Sequence, residues 1–187
     1  MATETIISIC LGIGLAASVG FRVFLPLFVL SLSGYYDIWE LNDSWLWLGS
    51  VTALITFGVA TLVEIFAYYI PYIDNLLDSI AVPLAAIAGT TVMASTMVDL
   101  NPVVTWSLAI IAGGGTAAVV AGTSSVSRLA STTSTAGLGN PLVSTIETVS
   151  SMILSVISVF VPMLAMILVI FILFLFFKVY KKMKSNK

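Results

Sequence analysis

The sequence predicts an all-α membrane protein, a polytopic helical bundle of about six transmembrane helices, and three observations lead to this prediction. The mean hydropathy is +1.13. Hydrophobic residues make up 59% of the 187 residues, whereas charged residues make up only 9%. Several apolar runs reach about 18 residues or more, the length that crosses a bilayer as a helix. Residues 1–187 are therefore expected to form a single membrane domain, since no stretch is left for a soluble one.

Apolar stretches separated by prolines or polar residues predict the positions of the helices. The first stretch is long for a single span and is interrupted by Gly20 and Pro26. Near the other end, residues 141–177 are too many for one span at about 1.5 Å per residue, and Pro162 divides them into two helices. The predicted helices cover approximately residues 5–32, 45–69, 80–97, 103–121, 142–161 and 163–177.

Two polar stretches between these helices have unusual compositions. Residues 71–79 (PYIDNLLDS) are expected to form a short turn or a half-helix. Residues 122–140 consist mostly of Ser, Thr, Gly and Ala and carry almost no charge, unlike an ordinary solvated loop. This composition favours a broken or re-entrant segment that dips into the protein or lines a water-filled cavity.

The distribution of charge predicts the orientation in the membrane. Residues 178–187 hold five of the seven basic residues, so this tail is expected to lie in the cytoplasm. The loop after the first helix carries Asp37, Glu40 and Asp43 without a basic residue, and Trp and Tyr side chains flank it as at a membrane interface. Six spans would place both termini in the cytoplasm and this acidic loop on the other side. The first apolar stretch lacks a basic region before it and is expected to be a retained helix.

Two runs of small residues suggest an internal repeat. An arginine follows each run, and the next predicted helix in each half carries one glutamate. With three helices per half (residues 1–100 and 101–177), the second half enters the membrane inverted, as in many secondary transporters. The alternative is that the small residues only allow close packing of helices. The runs are Gly12-x3-Ala16-x3-Gly20 and Gly114-x3-Ala118-x3-Gly122.

Arg22 and Arg128 are the only basic residues before Lys178, and each follows a Gly/Ala-rich helix. A charged side chain near the bilayer centre costs about 2.5–3.5 kcal/mol on insertion scales, so such residues usually face a cavity, a carboxylate or a ligand. The hydroxyls and glycines around Arg128 suit an anion such as a phosphate or a carboxylate. The alternatives are an interfacial Arg22 that reaches the lipid headgroups and an Arg128 in an ordinary cytoplasmic loop.

Four acidic residues and one asparagine complete the candidate binding site. Glu64 and Glu147 lie in predicted helices and are candidates either to neutralise an arginine or to carry a proton. Asp74 and Asp78 share one face if their segment is helical, which suits a cation or a proton. The ordinary explanations are a helix-terminal charge for Glu147 and a solvated turn for the two aspartates. Asn140 begins the predicted fifth helix, either as its cap or as part of an anion-binding helix start.

The composition also excludes several kinds of chemistry. The sequence has no histidine, and Cys10 is its only cysteine, which rules out a disulfide framework, histidine acid–base catalysis and a Cys/His zinc site. A carboxylate site for Mg²⁺ or Na⁺ stays open. Because no nucleophile motif is recognisable either, we expect no enzymatic activity, no cofactor and no nucleic-acid partner.

Three stretches carry a resemblance to a known family. They are Gly20-Phe-Arg22 after the first glycine-rich run, Glu64 followed by Ile70-Pro71-Tyr-Ile-Asp74, and residues 131–147 (STTSTAGLGNPLVSTIE). On these motifs the chain resembles a bacterial membrane family known only as domain of unknown function 4126, up to about Pro162. It departs from the family at Tyr68-Tyr69, where a more polar sequence is expected. The resemblance implies the membrane fold, the candidate residues and a location in the bacterial inner membrane, but no activity or substrate.

Two functions from different classes follow from these residues, and a third alternative is an enzyme that acts on lipid through Asp74, Asp78, Glu64 and the Ser/Thr-rich segment, although no histidine, nucleophile motif or clear metal cluster supports it. The first is a small transporter or flippase-like protein whose arginines and carboxylates line a central site for an anionic or amphiphilic substrate. The second is a structural or accessory membrane subunit in which the same charges form buried ion pairs that fix the fold. Membrane lipids are the expected surroundings. A protein of this size is expected to work as a homo-oligomer.

Overall fold

The computed structural model describes residues 2–98 and 100–185, and the regular secondary structure in these ranges is all helical, as predicted. Met1, Asp99, Asn186 and Lys187 lie outside the described residues. The helices are α1 (Ala2–Phe21), α2 (Phe24–Tyr35), a 3₁₀ helix (Asp43–Gly49), α3 (Val51–Ala67), α4 (Pro71–Thr96), α5 (Pro102–Leu108), a π-helical segment (Ala109–Gly114), α6 (Gly115–Thr135), α7 (Asn140–Phe160) and α8 (Pro162–Ser185).

Within the described ranges, four helical segments are long and apolar enough to cross a membrane. A fifth candidate forms if the 3₁₀ helix and α3, which meet at a bend of 64°, count as one broken span. The helix α2 and the apolar part of α8 are shorter. The chain is therefore a polytopic membrane protein by the length and composition of its helices, whereas the count of six spans stays a prediction. The four segments are Thr3–Phe21, Ile73–Thr96, Pro102–Thr135 and Asn140–Phe160.

The predicted first helix is in fact two helices. The chain breaks at Arg22 and Val23, so the prediction of one helix over residues 5–32, interrupted at Gly20 and Pro26, is wrong in its details. The cause is a long-range contact, because the carboxylate of Glu64 on α3 accepts the backbone N–H groups that begin α2. Pro26 lies in the first turn of α2, where its missing N–H costs no helical hydrogen bond.

The predicted second helix is bent near its start. Residues Asp43–Gly49 form a 3₁₀ helix, and α3 begins at Val51 after the bend of 64°. Ser50 lies at the bend in an extended conformation, and its hydroxyl accepts a hydrogen bond from the backbone N of Ala53 at 3.1 Å. This cap begins α3 because it satisfies a backbone donor that has no partner in the first helical turn.

Both polar stretches are helical, which corrects two predictions. Residues 71–79, predicted as a turn or half-helix, are the first turns of the continuous helix α4. Most of residues 122–140, predicted to dip back or line a cavity, belong to α6. The hydroxyls of this helix donate to carbonyls one turn earlier, as from Thr123 to Val119 at 2.9 Å, so they need no loop to satisfy them. The helix stops at Ala136, whose φ of 52° is left-handed.

In the C-terminal part, the helix boundaries agree more closely with those predicted from the sequence. The helix α7 ends at Phe160 and α8 begins at Pro162, so the predicted division at this proline is confirmed. The helix α8 continues through Ser185, so most of the basic tail extends a helix instead of forming a separate segment. The cytoplasmic location of this tail stays a prediction.

The helix α1 packs against α4, α6, α7 and α8. Its run of small residues makes these approaches close, because a Cβ added at Gly20 would lie 2.4 Å from the Cβ of Val120 on α6. The second run acts similarly, since a Cβ added at Gly114 would lie 2.5 Å from the Thr90 hydroxyl oxygen on α4. The first run and Gly114 of the second run therefore serve helix packing, whereas a Cβ added at Gly122 would meet only the Val82 side chain, at 3.9 Å. The inverted repeat inferred from them stays a prediction.

Several helix ends meet at one end of the bundle. The break between α1 and α2 lies beside Glu64, near the end of α3. The Ser151 hydroxyl of α7 donates to the backbone oxygen of Ser18 near the end of α1, at 3.0 Å. The helices α4 and α7 begin in this region and α6 ends there. Charged residues that are far apart in sequence therefore come together.

Candidate functional site

The predicted site residues lie together where these helix ends meet. Six of them are ionisable, and we call these six residues the charged cluster. Apart from Asp78, whose side chain is 21% exposed, all of the predicted site residues are buried. The charged cluster consists of Arg22, Glu64, Asp74, Asp78, Arg128 and Glu147, and the seventh predicted residue, Asn140, lies beside it.

Arg128 is the centre of the charged cluster, and each of its guanidinium nitrogens contacts a carboxylate. Its Nε donates to Glu147 Oε1 at 3.2 Å and lies 3.6 Å from Asp78 Oδ1. Its Nη1 donates to Asp74, and its Nη2 donates to the second oxygen of Glu147. The planar guanidinium suits this position because it donates in several fixed directions at once.

Arg22 is held mostly by neutral groups of α7. Its Nε donates to the Thr148 hydroxyl at 2.9 Å, and its Nη2 donates to the backbone oxygen and the hydroxyl of Ser144 at 2.9 and 2.6 Å. The same Nη2 lies 3.7 Å from Glu147 Oε2. Its Nη1 is buried without a hydrogen-bond partner among the described residues. Neither Ser144 nor Thr148 was predicted, although their spacing from Glu147 places all three near one face of a helix.

Glu64 joins α3 to the break between α1 and α2. Its carboxylate oxygens accept hydrogen bonds from the backbone N of Val23 at 2.8 Å and of Phe24 at 3.0 Å. Because these N–H groups begin α2, the carboxylate lies at the positive end of that helix. Glu64 therefore caps α2 from another helix and fixes the backbone next to Arg22.

Asp74 connects the charged cluster to the start of α7. Its Oδ2 accepts a hydrogen bond from Asn140 Nδ2 at 2.9 Å, and the same nitrogen donates to the Thr132 hydroxyl at 3.0 Å. Of the two roles expected for Asn140, the helix cap is wrong, because no side chain caps α7 and Asn140 bonds to Asp74 instead. Thr132 was not predicted, since one threonine in a Ser/Thr-rich stretch carries no distinguishing signal.

Tyr68, which follows α3, contacts both arginines. The guanidinium carbons of Arg22 and Arg128 each lie 4.0 Å from the centroid of the Tyr68 ring, within the range of a cation–π contact. Burial raises the pKa of the Tyr68 phenol to about 12, so the phenol is neutral at physiological pH. In the sequence Tyr68 was notable only as a departure from the resembled family.

The charged cluster contains more carboxylates than arginines. Four carboxylates face two arginines, which gives a formal charge of −2 when all six groups are ionised. Uncompensated charge is costly to bury, so this cluster attracts a proton or a cationic group more readily than an anion. Among the described residues, no group of three or more acidic or cysteine side chains is arranged to hold a metal ion.

Two cavities reach the charged cluster from different sides. The first, the apolar groove, has a volume of about 540 Å³, lies between α2, α3 and α4, and includes Glu64 and Tyr68 in its wall. Its wall also includes exposed apolar side chains such as Ile55, so the groove faces the surroundings of the bundle. The second has a volume of about 270 Å³ and lies at the turn between α6 and α7. We call it the polar pocket after Asp74 and Asn140 in its wall, although apolar side chains such as Leu138 also line it.

Comparison with known proteins identifies a family but no activity. No curated protein and no solved structure matches this chain. Residues 9–182 match the family described as Domain of unknown function (DUF4126), and this range includes the whole charged cluster and the walls of both cavities. The chain therefore belongs to this family, as the motifs around Arg22, Glu64 and Glu147 predict.

Proposed function

We propose that this protein is a small membrane transporter, flippase-like in that it moves an amphiphilic substrate between the two leaflets. The position of the apolar groove carries the proposal, because the groove lies along α3 and α4 and includes Glu64 and Tyr68 next to the arginines. An amphiphile in the groove would place its apolar part against the helices and its head at the charged cluster. Mostly apolar cavities with a few convergent polar groups are typical ligand sites.

The charge of the cluster favours one class of head group. The sequence predicts an anionic or an amphiphilic substrate, and the arginines offer little to an anion because carboxylates already contact every nitrogen of Arg128. The excess of carboxylates instead attracts the ammonium group of a zwitterionic head. The unpartnered Nη1 of Arg22 would then donate to one acceptor oxygen of the same head, such as a phosphate oxygen.

One helix break lies at the site itself. The helices α1 and α2 separate at Arg22, beside Glu64, whereas the bend at Ser50 lies at the opposite end of α3. Transporters commonly build their sites from discontinuous helices whose ends face the substrate. The predicted inverted repeat is part of this proposal, since two related halves would alternate in opening the site to each side.

The proposed topology, location and assembly come from the sequence. Six spans would place both termini in the cytoplasm and the protein in a bacterial inner membrane, surrounded by lipids and assembled as a homo-oligomer. Transbilayer movement of an amphiphile breaks no covalent bond, so the proposal requires neither an enzymatic step nor a cofactor.

The proposal is tested by the transbilayer movement of a fluorescent zwitterionic phospholipid in vesicles that contain the purified protein. Ala60 lines the apolar groove, so Ala60→Trp fills it. Leu62→Trp is the matched control, because Leu62 lies on the same helix outside the groove wall and is 58% exposed. We expect Ala60→Trp to slow lipid movement to the rate of protein-free vesicles and Leu62→Trp to leave it unchanged. A wild-type rate equal to that of protein-free vesicles would contradict the proposal.

The second candidate is a structural or accessory subunit whose charges form buried ion pairs. The pairing of every Arg128 nitrogen within the protein favours it. A structural role predicts that Arg128→Met is tolerated when its three carboxylate partners, Asp74, Asp78 and Glu147, are replaced by leucine at the same time, as apolar replacement of a complete buried ion network often is. The transporter predicts that the same combined variant, when it folds, no longer moves lipid.

A further inference from the structure

Tyr68 stands between the apolar groove and the polar pocket. Of the described residues that line these cavities, Tyr68 is the one that lines both. The groove wall continues from Tyr68 to Glu64, and the pocket wall continues to Asp74. The residue is only 8% exposed, so its side chain is enclosed between the two cavities. Removal of this ring would therefore join them.

The two arginines hold the ring in place. Their guanidinium carbons each lie 4.0 Å from the ring centroid, and cation–π contacts are stronger when they are desolvated, as here. Arg128 is itself held by carboxylates, and Arg22 is held by Ser144 and Thr148 of α7. The position of the ring therefore depends on the arrangement of the charged cluster.

Tyr68 caps the C-terminal end of α3, where its backbone N donates to Glu64 O at 3.2 Å, so movement of its side chain leaves the body of the helix intact. The helix α3 ends at Ala67 and α4 begins at Pro71, so Tyr68 lies in the short connection between them. Ile70 in this connection is extended, with φ −102° and ψ 111°. Residues at the ends of elements commonly absorb the backbone rotations of conformational changes.

We propose that Tyr68 is the gate between the apolar groove and the polar pocket, and that a polar head in the charged cluster opens it. An ammonium group that binds the carboxylates weakens their hold on Arg128, and an acceptor oxygen that binds Arg22 Nη1 draws that guanidinium from the ring. The released ring leaves one continuous path from the groove to the pocket. The identity of the molecule that passes Tyr68 rests on the proposed function. The obstruction by the Tyr68 ring can be tested without any measurement of transport.

The test is the reaction of a thiol in the apolar groove with a cationic, membrane-impermeant methanethiosulfonate reagent. Ala81 lines the groove and not the polar pocket, so Ala81→Cys in a Cys10→Ala background reports passage through the gate. Asn75→Cys lies in the wall of the polar pocket, so its reaction rate measures how readily the reagent reaches that side of Tyr68. The protein is held in lipid nanodiscs, and intact mass follows the modification.

We expect Tyr68→Ala to accelerate the Ala81→Cys reaction about tenfold or more, the factor that follows from the loss of contacts of cation–π strength. The Asn75→Cys reaction should not change. Tyr68→Phe retains the ring and should retain the wild-type rate. Tyr69→Ala removes a ring from the polar pocket alone and should retain it as well. If Tyr68→Ala does not fold, Tyr68→Leu removes the ring with a smaller loss of volume and should show acceleration in the same direction.

A wild-type rate in folded Tyr68→Ala or Tyr68→Leu protein would overturn the gate, and so would equal acceleration by Tyr69→Ala. The thiol reaction does not require lipid movement. If Tyr68→Ala accelerates the Ala81→Cys reaction but the wild-type protein moves no lipid, the transporter alone is refuted. If the protein moves lipid but the Tyr68 variants leave the Ala81→Cys reaction unchanged, the gate alone is refuted.

Discussion

Arg22 and Arg128 share one carboxylate oxygen. Oε2 of Glu147 accepts a hydrogen bond from Nη2 of Arg128 and lies 3.7 Å from Nη2 of Arg22. This oxygen connects the end of α1, the middle of α6 and the first half of α7 at one point. Because the surrounding cluster has more negative than positive groups, the atoms that hold these helices together are also those that would attract a substrate.

Arg128 should contribute more to stability than Arg22. Arg128→Gln leaves three carboxylate partners without their counter-charge, and removal of one member of a buried pair costs about 3–5 kcal/mol. Arg22→Gln loses mainly bonds to neutral groups, so the loss should be smaller. Thermal unfolding in detergent measures both. Lys178→Gln removes an exposed positive charge as the control, and a fall in Tm no larger for Arg128→Gln than for this control would refute the prediction.

Glu64→Gln should loosen the start of α2. The amide has a single acceptor oxygen and lacks the charge that favours a helix N-terminus, so the local loss should be about 0.5–2 kcal/mol. Hydrogen–deuterium exchange at the amides of Val23 and Phe24 should therefore accelerate roughly 2- to 30-fold. Thr61→Val is the matched control, because the Thr61 hydroxyl donates only within its own helix, to Phe57 O at 2.7 Å. Unchanged exchange in Glu64→Gln would mean that the carboxylate does not hold this break.

The sequence predicted which charged residues meet, but not how they pair. An arginine is costly enough in a membrane that a partner was expected for Arg22 and for Arg128. The partners depend on the fold: Glu147 contacts both arginines, whereas Glu64 bonds to backbone N–H groups. Tyr68 carries no charge at physiological pH, so neither hydropathy nor charge patterning indicated its position in the site.

Some helix boundaries have a local cause in the sequence, whereas others depend on contacts between residues that are far apart in the chain. Proline disrupts a helix through its own ring, so the division at Pro162 was predictable. The break at Val23 depends on Glu64, which is 41 residues away, and no local pattern records that contact. The Ser/Thr-rich part of α6 is predicted from its sequence to be a broken or re-entrant segment because its small, almost uncharged residues suit a stretch that dips into the protein, yet its hydroxyls bond within the helix.

Replacement by alanine should lower the stability of the protein at Gly113 and raise it at the nearby Gly115. A Cβ at Gly113 would lie 2.6 Å from Gly89 O and 2.7 Å from the Cβ of Met93, both on α4. At Gly115 nothing lies within 4 Å. Gly113→Ala should therefore destabilise by about 1–3 kcal/mol through overpacking, and Gly115→Ala should stabilise by roughly 0.5–1 kcal/mol through helix propensity. Thermal unfolding of the two variants measures this. Equal loss of stability in both would exclude the close approach of α4 as the cause.

In the proposed function, the charged cluster receives the head of an amphiphile that the apolar groove holds. The most direct test of this claim compares two fluorescent phospholipids with identical acyl chains, one with a zwitterionic head and one with an anionic head, in vesicles that contain the wild-type protein. The excess of carboxylates predicts faster transbilayer movement of the zwitterionic lipid. Faster movement of the anionic lipid, or movement of both at the rate of protein-free vesicles, would contradict the claim.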